Sequence, residues 1–375
     1  VKIGSTGDWH FCAGLDEEVS SSIVQMENKF KERQVDLIVV TGDIFDRKSD
    51  VEGRNWAAQR IRGLAGVAPV FLLYGNHDIE GDLDIFGLIR AKNTIKVQSH
   101  PFTFVDADHG VVFYFLPWFT KSGWTAMNPQ ASMGLGDVTV SQLALEYLAY
   151  QRSIHARLNM KHVLVSHITI AGSIAENRQP LIGEGVTLGV EDLRDVGFDG
   201  GIFGHIHLHQ CIGGDTFFYN GSPVAMNYGE QPEKFFTVYD TDAGSVEWHR
   251  LNTIDRFSVE LEWKNHRFEG EFDHSRCKGA LVRVLVKLEE GDDIHAIKDS
   301  LREWFTELEV KELKIEPQVR PRDAVRANQI VAAEGLLEKL TIYWEATGTK
   351  PDEPTAADMI DKLRQLEEEE AASDS

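Results

Sequence analysis

Apolar and polar positions follow two rhythms along the first 250 residues. Short unbroken runs occur at Val35-Asp36-Leu37-Ile38-Val39-Val40, Val70-Phe71-Leu72-Leu73-Tyr74, Val111-Val112-Phe113-Tyr114-Phe115 and His162-Val163-Leu164-Val165. Their length and β-branched or aromatic content predict buried strands. Between the first two runs of chemistry-bearing residues, Val19, Ile23, Met26 and Phe30 recur at helical spacing. Further helices are expected over Glu52 to Leu64 and Gln142 to Leu158. Strands alternating with helices predict an α/β architecture. The segment from Thr120 to Val138, rich in Gly, Ser, Asn and Met, reads as a long irregular loop. Loops of that length either carry function or lie on plain surface.

Around Asn252 the rhythm changes. Phe257-Ser258-Val259-Glu260-Leu261 and Ala280 to Val286 read as strands, Ile294 to Phe305 as a helix, and Val310 to Ile315 as a third strand. Ile294, Ile297, Leu301 and Phe305 share one face of that helix. Beyond Pro321 a helix is predicted over Val325 to Trp344, broken by Gly348-Thr349-Lys350-Pro351. A second follows from Thr355, with Met359, Leu363 and Leu366 as its apolar stripe. The expected organisation is an α/β domain over 1–252, a small α+β unit over 253–320 and a helical tail over 321–375. The tail either packs as an ordinary terminus or docks on another protein.

With 42% hydrophobic and 26% charged residues among 375, the composition is that of a globular protein. No run approaches the roughly 18 apolar residues of a membrane helix, so no membrane association is expected. Val1-Lys2-Ile3-Gly4 begins as a strand with no sign of a signal peptide. The three cysteines, Cys12, Cys211 and Cys277, lack C-x-x-C spacing and fit a reducing compartment. The net charge of −22, in part from Glu367 to Glu370, argues against a surface coated in basic residues. It does not exclude nucleic acid, because the local field matters more than the sum.

Six short segments change the picture: Gly7-Asp8-Trp9-His10, Gly42-Asp43-Ile44-Phe45-Asp46-Arg47, Gly75-Asn76-His77-Asp78, Ser166-His167, Gly204-His205-Ile206-His207 and Asn220-Gly221-Ser222-Pro223. The early ones begin where an apolar run ends, which places them at the C-terminal edge of a sheet, where open α/β folds bind ligands. The first five mix imidazole, carboxylate and amide donors, a set that suits a pair of divalent transition-metal ions. Period-2 geometry is expected to point Asp8 and His10 the same way, and likewise His205 and His207. Asp43, with two oxygens, can bridge two ions, and Gly42 before it permits a sharp turn. Cys12 and Cys211 lie near these motifs, which already hold donors enough without them. His209 reads as a nearby polar residue, and Asp78 as a neighbour of the ligands.

The order D-x-H, G-D-x-x-D, G-N-H-[DE], a lone His and G-H-x-H resembles the calcineurin-like metallophosphoesterase superfamily. The resemblance implies a two-sheet αββα sandwich. It implies one ion held by Asp8, His10, Asp43 and His207, and a second by Asp43, Asn76, His167 and His205. It gives His77 the scissile phosphate and the leaving oxygen, and Asp46 the support of His77. Arg47 either helps hold the phosphate or forms a surface salt bridge. Gly42-Asp43-Ile44-Phe45-Asp46-Arg47, Tyr219-Asn220-Gly221-Ser222-Pro223 and Tyr228-Gly229-Glu230, with the α+β cap and terminal helices, resemble the SbcD-type DNA-repair nucleases. That resemblance implies a manganese-dependent nuclease, Mg²⁺ being poorer, acting on DNA ends and single strands in the cytoplasm of a bacterial or phage-infected cell. It also implies a homodimer, and an SMC-like ATPase partner gripped by the C-terminal helices. A cyclic-nucleotide phosphodiesterase or nucleotide pyrophosphatase would use the same scaffold without needing the C-terminal extension. A non-catalytic scaffold would be expected to have lost ligands, and none is missing.

Overall fold

The apolar runs pair into two six-stranded sheets. In one, β1 (Lys2–Thr6), β2 (Leu37–Val40), β3 (Val70–Leu73) and β4 (Ile95–Gln98) run parallel, and β13 (Phe235–Asp240) and β14 (Ser245–Arg250) continue the sheet antiparallel beyond β1. In the other, β6 (Val111–Leu116), β7 (Lys161–His167), β10 (Gly200–Gly204) and β12 (Phe217–Tyr219) are parallel. Its antiparallel edges are β5 (Phe102–Asp106) and β11 (Gln210–Cys211). A small pair, β8 (Thr169–Ile170) and β9 (Thr187–Leu188), lies apart. This computed structural model describes residues 1–12, 14–119, 122–124, 139–175, 185–320, 336–347, 355–357 and 359–363.

Alternation along the strands builds three apolar layers. Ile38, Val40, Val70 and Leu72 pack with Val19, Ile23, Met26 and Phe30 of α1 (Asp16–Arg33) and with Ala57, Ile61 and Leu64 of α2 (Val51–Val67). The other faces of those strands, Leu37, Val39, Phe71 and Leu73, meet Phe113, Phe115, Val163, Val165 and Ile202 of the second sheet. Phe71 and Phe115 stack across this middle layer with ring centroids 4.8 Å apart; each such buried side chain is worth about 1.5–3 kcal/mol. Val112, Tyr114, Leu116, Leu164 and Phe203 point outward onto Leu143, Ala144 and Leu148 of α3 (Val140–Ile154) and Leu193 of α4 (Val190–Val196). Helix, sheet, sheet, helix is thus the expected αββα sandwich.

The chain divides into two compact units, Val1–Phe257 and Ser258–Ser375. Strand β15 (Arg256–Lys264), which begins in the last two residues of the first unit, turns at Asn265 and His266, both with left-handed φ, into β16 (Arg267–Glu269) of the second. Strand β17 (Leu281–Glu289) leads through α5 (Ile294–Glu307) to the parallel β18 (Glu312–Arg320). Ile297, Leu301 and Phe305 form the buried face of α5, whereas Ile294 is only partly covered. Helix α6 (Leu336–Thr347) contains the end of the helix predicted to Trp344; the part over 325–335 lies outside the described residues. Most of the loop predicted over 120–138, the division expected at 321 and Leu366 of the apolar stripe lie outside them too. Helix α3 ends at Ile154, short of the predicted Leu158, because the chain turns at 155–157 to enter β7. Among the described residues no helix is long and apolar enough to cross a membrane.

Candidate metal centre

Five loops leave the C-terminal ends of β1, β2, β3, β7 and β10 at one edge of the sandwich. The first two are zipped together. Asp8 N–H donates to Gly42 O at 2.9 Å, His10 N–H to Asp43 O at 3.0 Å and Phe11 N–H to Ile44 O at 2.9 Å. Close approach requires glycine: a Cβ on Gly7 would meet Thr41 Oγ1, and one on Gly42, at φ +103°, would stand 2.7 Å from Gly75 N.

Asp8 and His10 do not lie on the strand, as period-2 spacing suggested, because β1 ends at Thr6. They converge because both adopt left-handed φ, 51° and 44°. Asp43 and His205 share this property, at 52° and 98°. The conformation costs about 1–2 kcal/mol per L-residue, and here the cross-loop hydrogen bonds hold them there.

The side chains meet in overlapping sets. His10 Nε2 lies 3.0 Å from His207 Nε2, and Asp8 with His10 and His207 forms one ligand cluster. Asp8, Asp43 and His167 form another. Asn76 Oδ1 stands 2.9 Å from both His167 Nε2 and His205 Nδ1. Asp43 joins the sets: its Oδ2 is 3.5 Å from His10 Nε2 and 3.3 Å from His167 Nε2. Its Oδ1 accepts from His77 N–H at 2.8 Å. Thr41 O, 2.7 Å from His167 Nδ1, fixes that imidazole with Nδ1 outward and Nε2 toward Asp43.

These donors fit divalent cations. Asp8 Oδ1 accepts from His205 N–H at 2.8 Å, while Asp8 Oδ2 is buried with no hydrogen-bond partner among the described residues. A buried orphan carboxylate oxygen is costly unless a cation meets it. The charge states of three imidazoles agree. Burial pushes His207 down to about 3, with His10 adding to the effect. Burial, then His167, pushes His205 down to about 4, and burial also lowers His10. Neutral imidazoles are the form that binds metal. Burial opposes charge on His167 as well, but Asp43 and Asp8 outweigh it and raise it to about 9. Burial alone would raise Asp43, yet the neighbouring His167 and His10 hold it below the ordinary carboxylate range.

His77 stands at the exposed rim, its ring centroid 4.7 Å from that of His10. Its Nδ1 lies 2.9 Å from the main-chain oxygen of Asp46. The Asp46 carboxylate approaches His10 Nδ1 at 3.6 Å and forms a third cluster with His10 and His77, within 4.8 Å of a His77 ring nitrogen; the hydrogen bond of His77 goes to the main-chain oxygen of the same residue. Arg47 is exposed and lines a cavity of about 140 Å³ with Phe11, Cys12, Phe45 and Lys48. Cys12 and Cys211 enter none of the ligand clusters among the described residues. His209 packs against Phe235 and Trp248 at 4.2 and 5.6 Å.

Asp78 does more than sequence spacing showed. Its carboxylate accepts four backbone N–H groups, from Asp43 (2.8 Å), Ile44 (3.0 Å), Phe45 (3.2 Å) and Gly75 (2.9 Å). It therefore locks the second loop to the third. Thr41 and Trp118 were also missed. The Trp118 indole lies 5.1 Å from the His205 ring. Trp118 follows β6 as the other motifs follow their strands, and that position was the available signal; for the Thr41 carbonyl none existed.

Residues 1–209 match the family model for calcineurin-like phosphoesterases. A crystal structure of TT1561 of Thermus thermophilus is similar at 10% identity and a TM-score of 0.40, over 67% of this chain and 99% of that one. The matched span runs from β1 through His207 and so contains every loop that supplies a donor. This chain belongs to the calcineurin-like phosphoesterase family, a hydrolase of phosphoesters with a candidate site for divalent metal ions.

Proposed function

We propose that the chain is a manganese-dependent DNA nuclease with two metal ions, acting at DNA ends and on single strands as the nuclease subunit of a DNA-repair complex. The observation that carries the dinuclear reading is Asp43 Oδ2 poised between His10 and His167. One ion would be held by Asp8, His10, Asp43 and His207, the other by Asp43, Asn76, His167 and His205. Such a pair, when bound, supplies an activated water and neutralises charge on the phosphoryl oxygens.

The chain's own residues supply the rest. With Nδ1–H directed to Asp46 O, His77 carries its transferable proton on Nε2 and delivers it to the ester oxygen as the P–O bond breaks. Arg47, on the exposed rim, helps hold the phosphate. Asn76 and His77 are both exposed, which suits a polymeric ester better than an enclosed small one. The DNA reading rests on Gly42 to Arg47, Tyr219 to Pro223 and Tyr228 to Glu230, the motifs that resemble SbcD-type nucleases. With a net charge of −22, DNA grip falls to a partner, an SMC-like ATPase bound through residues beyond 320. The protein works as a homodimer in the cytoplasm.

The test is cleavage of end-labelled single- and double-stranded DNA with Mn²⁺, beside His77→Ser and a small chromogenic phosphodiester. DNA cleavage lost in the variant supports the nuclease. Hydrolysis of the small ester with DNA left intact, even with the ATPase added, would assign a cyclic-nucleotide phosphodiesterase or nucleotide pyrophosphatase instead.

A further inference from the structure

Residues 220–234 follow the last metal motif, and the mechanism above makes no use of them. They form a closed circuit behind His207. Gly221, at φ +74°, approaches the main chain so closely that a Cβ there would lie 2.5 Å from His207 O. Ser222 N–H donates to that oxygen at 3.1 Å. Lys234 Nζ donates to Ser222 Oγ at 3.0 Å and to Glu230 Oε2 at 2.8 Å. Glu230 Oε1 then reaches the His207 side chain, 3.4 Å from Nδ1. Met226 N–H and Asn227 Nδ2 donate to the same carboxylate at 3.0 and 2.9 Å. The Glu230 and Lys234 side chains are each only 2% exposed.

A buried ion pair is a poor source of stability, because desolvation offsets most of the attraction. This one is fixed by three further hydrogen bonds and aimed at one ring. We propose that Glu230 is the positioning residue of His207: it accepts Nδ1–H, so that the Nε2 lone pair faces His10 and Asp8, and Lys234 with Ser222 holds Glu230 to that task. The inference rests on the metal-centre reading. It adds a carboxylate–imidazole pair of the kind that orients metal ligands and raises their basicity.

The experiment is Mn²⁺ binding to the full chain by titration calorimetry, with thermal unfolding of the metal-free protein as control. E230M/K234M removes both charges together, so neither is stranded in the interior. One of the two ions should bind about 10–100-fold more weakly, the other as in the wild type, with the unfolding temperature little changed. E230Q/K234M, which keeps an oxygen toward Nδ1, should recover most of the loss. Wild-type affinity for both ions in E230M/K234M would overturn the proposal. A wild-type protein that binds fewer than two ions would overturn the dinuclear reading, and this inference with it. Independently of any variant, ¹⁵N spectra of the metal-free wild type should show His207 protonated at Nδ1; a proton on Nε2 would refute the assignment even if the variants fail to fold.

Discussion

Metal uptake by this centre must expel a proton, and the structure says from where. In the metal-free site burial works against a charged His167, but Asp43 and Asp8 prevail and raise it to about 9. Burial, opposed by His167 and reinforced by Asp43, raises Asp8 to about 7. Both must lose their protons to act as ligands. Affinity therefore rises with pH. Between pH 7 and 9 one proton leaves, from His167, so affinity should change about tenfold per pH unit; below 7 Asp8 adds a second, and the dependence steepens toward about a hundredfold. At pH 7 His167 still holds its proton, and releasing it weakens binding. His207 and His205, pushed down to about 3 and 4, release nothing in this range. Calorimetric titration with Mn²⁺ at about pH 8, in two buffers of different ionisation enthalpy, counts the protons directly. The expected count is close to one. A count near zero would refute this account, because a set of ordinary imidazoles is already neutral at that pH.

Asp78→Ala strands four buried N–H donors; thermal unfolding should show a loss of at least about 3 kcal/mol, since each buried group left unsatisfied costs about 1–3. Gly42→Ala, at φ +103° with Gly75 N 2.7 Å from the new Cβ, should cost about 1–3 kcal/mol and lower metal content, read by elemental analysis. His77→Ser should abolish phosphodiester cleavage and leave metal content at the wild-type level; loss of metal would make His77 a ligand. Turnover with Mn²⁺ should exceed that with Mg²⁺, because an imidazole-rich donor set suits a borderline ion better than a hard one; equal rates would count against the ligand set.

The apolar rhythm carried the α/β alternation, and the family resemblance carried the αββα layering. Ile38 and Val40 face the helices while Leu37 and Val39 face the second sheet, so an unbroken apolar run covers both sides. Sequence carried the donors because metal chemistry restricts residue type as well as spacing. It could not carry the convergence of the loops. Spacing placed Asp8 beside His10 by strand alternation, whereas the two meet through left-handed backbone at φ 51° and 44°. Asp and His enter that conformation more readily than most residues, yet still seldom, so nothing local in the sequence announces it. What stabilises it is non-local: Asp8 and His10 N–H groups bonded to the Gly42 and Asp43 carbonyls, and Asp78 gathering four amides from two loops. The strain and its restraints occupy the same few residues as the ligands. A site that must hold Asp43 Oδ2 within 3.5 Å of two histidines cannot wait for a cation to assemble it. Preorganisation strains the backbone at Asp8, His10, Asp43 and His205, and the buried amide network around Asp78 and Thr41 offsets that strain.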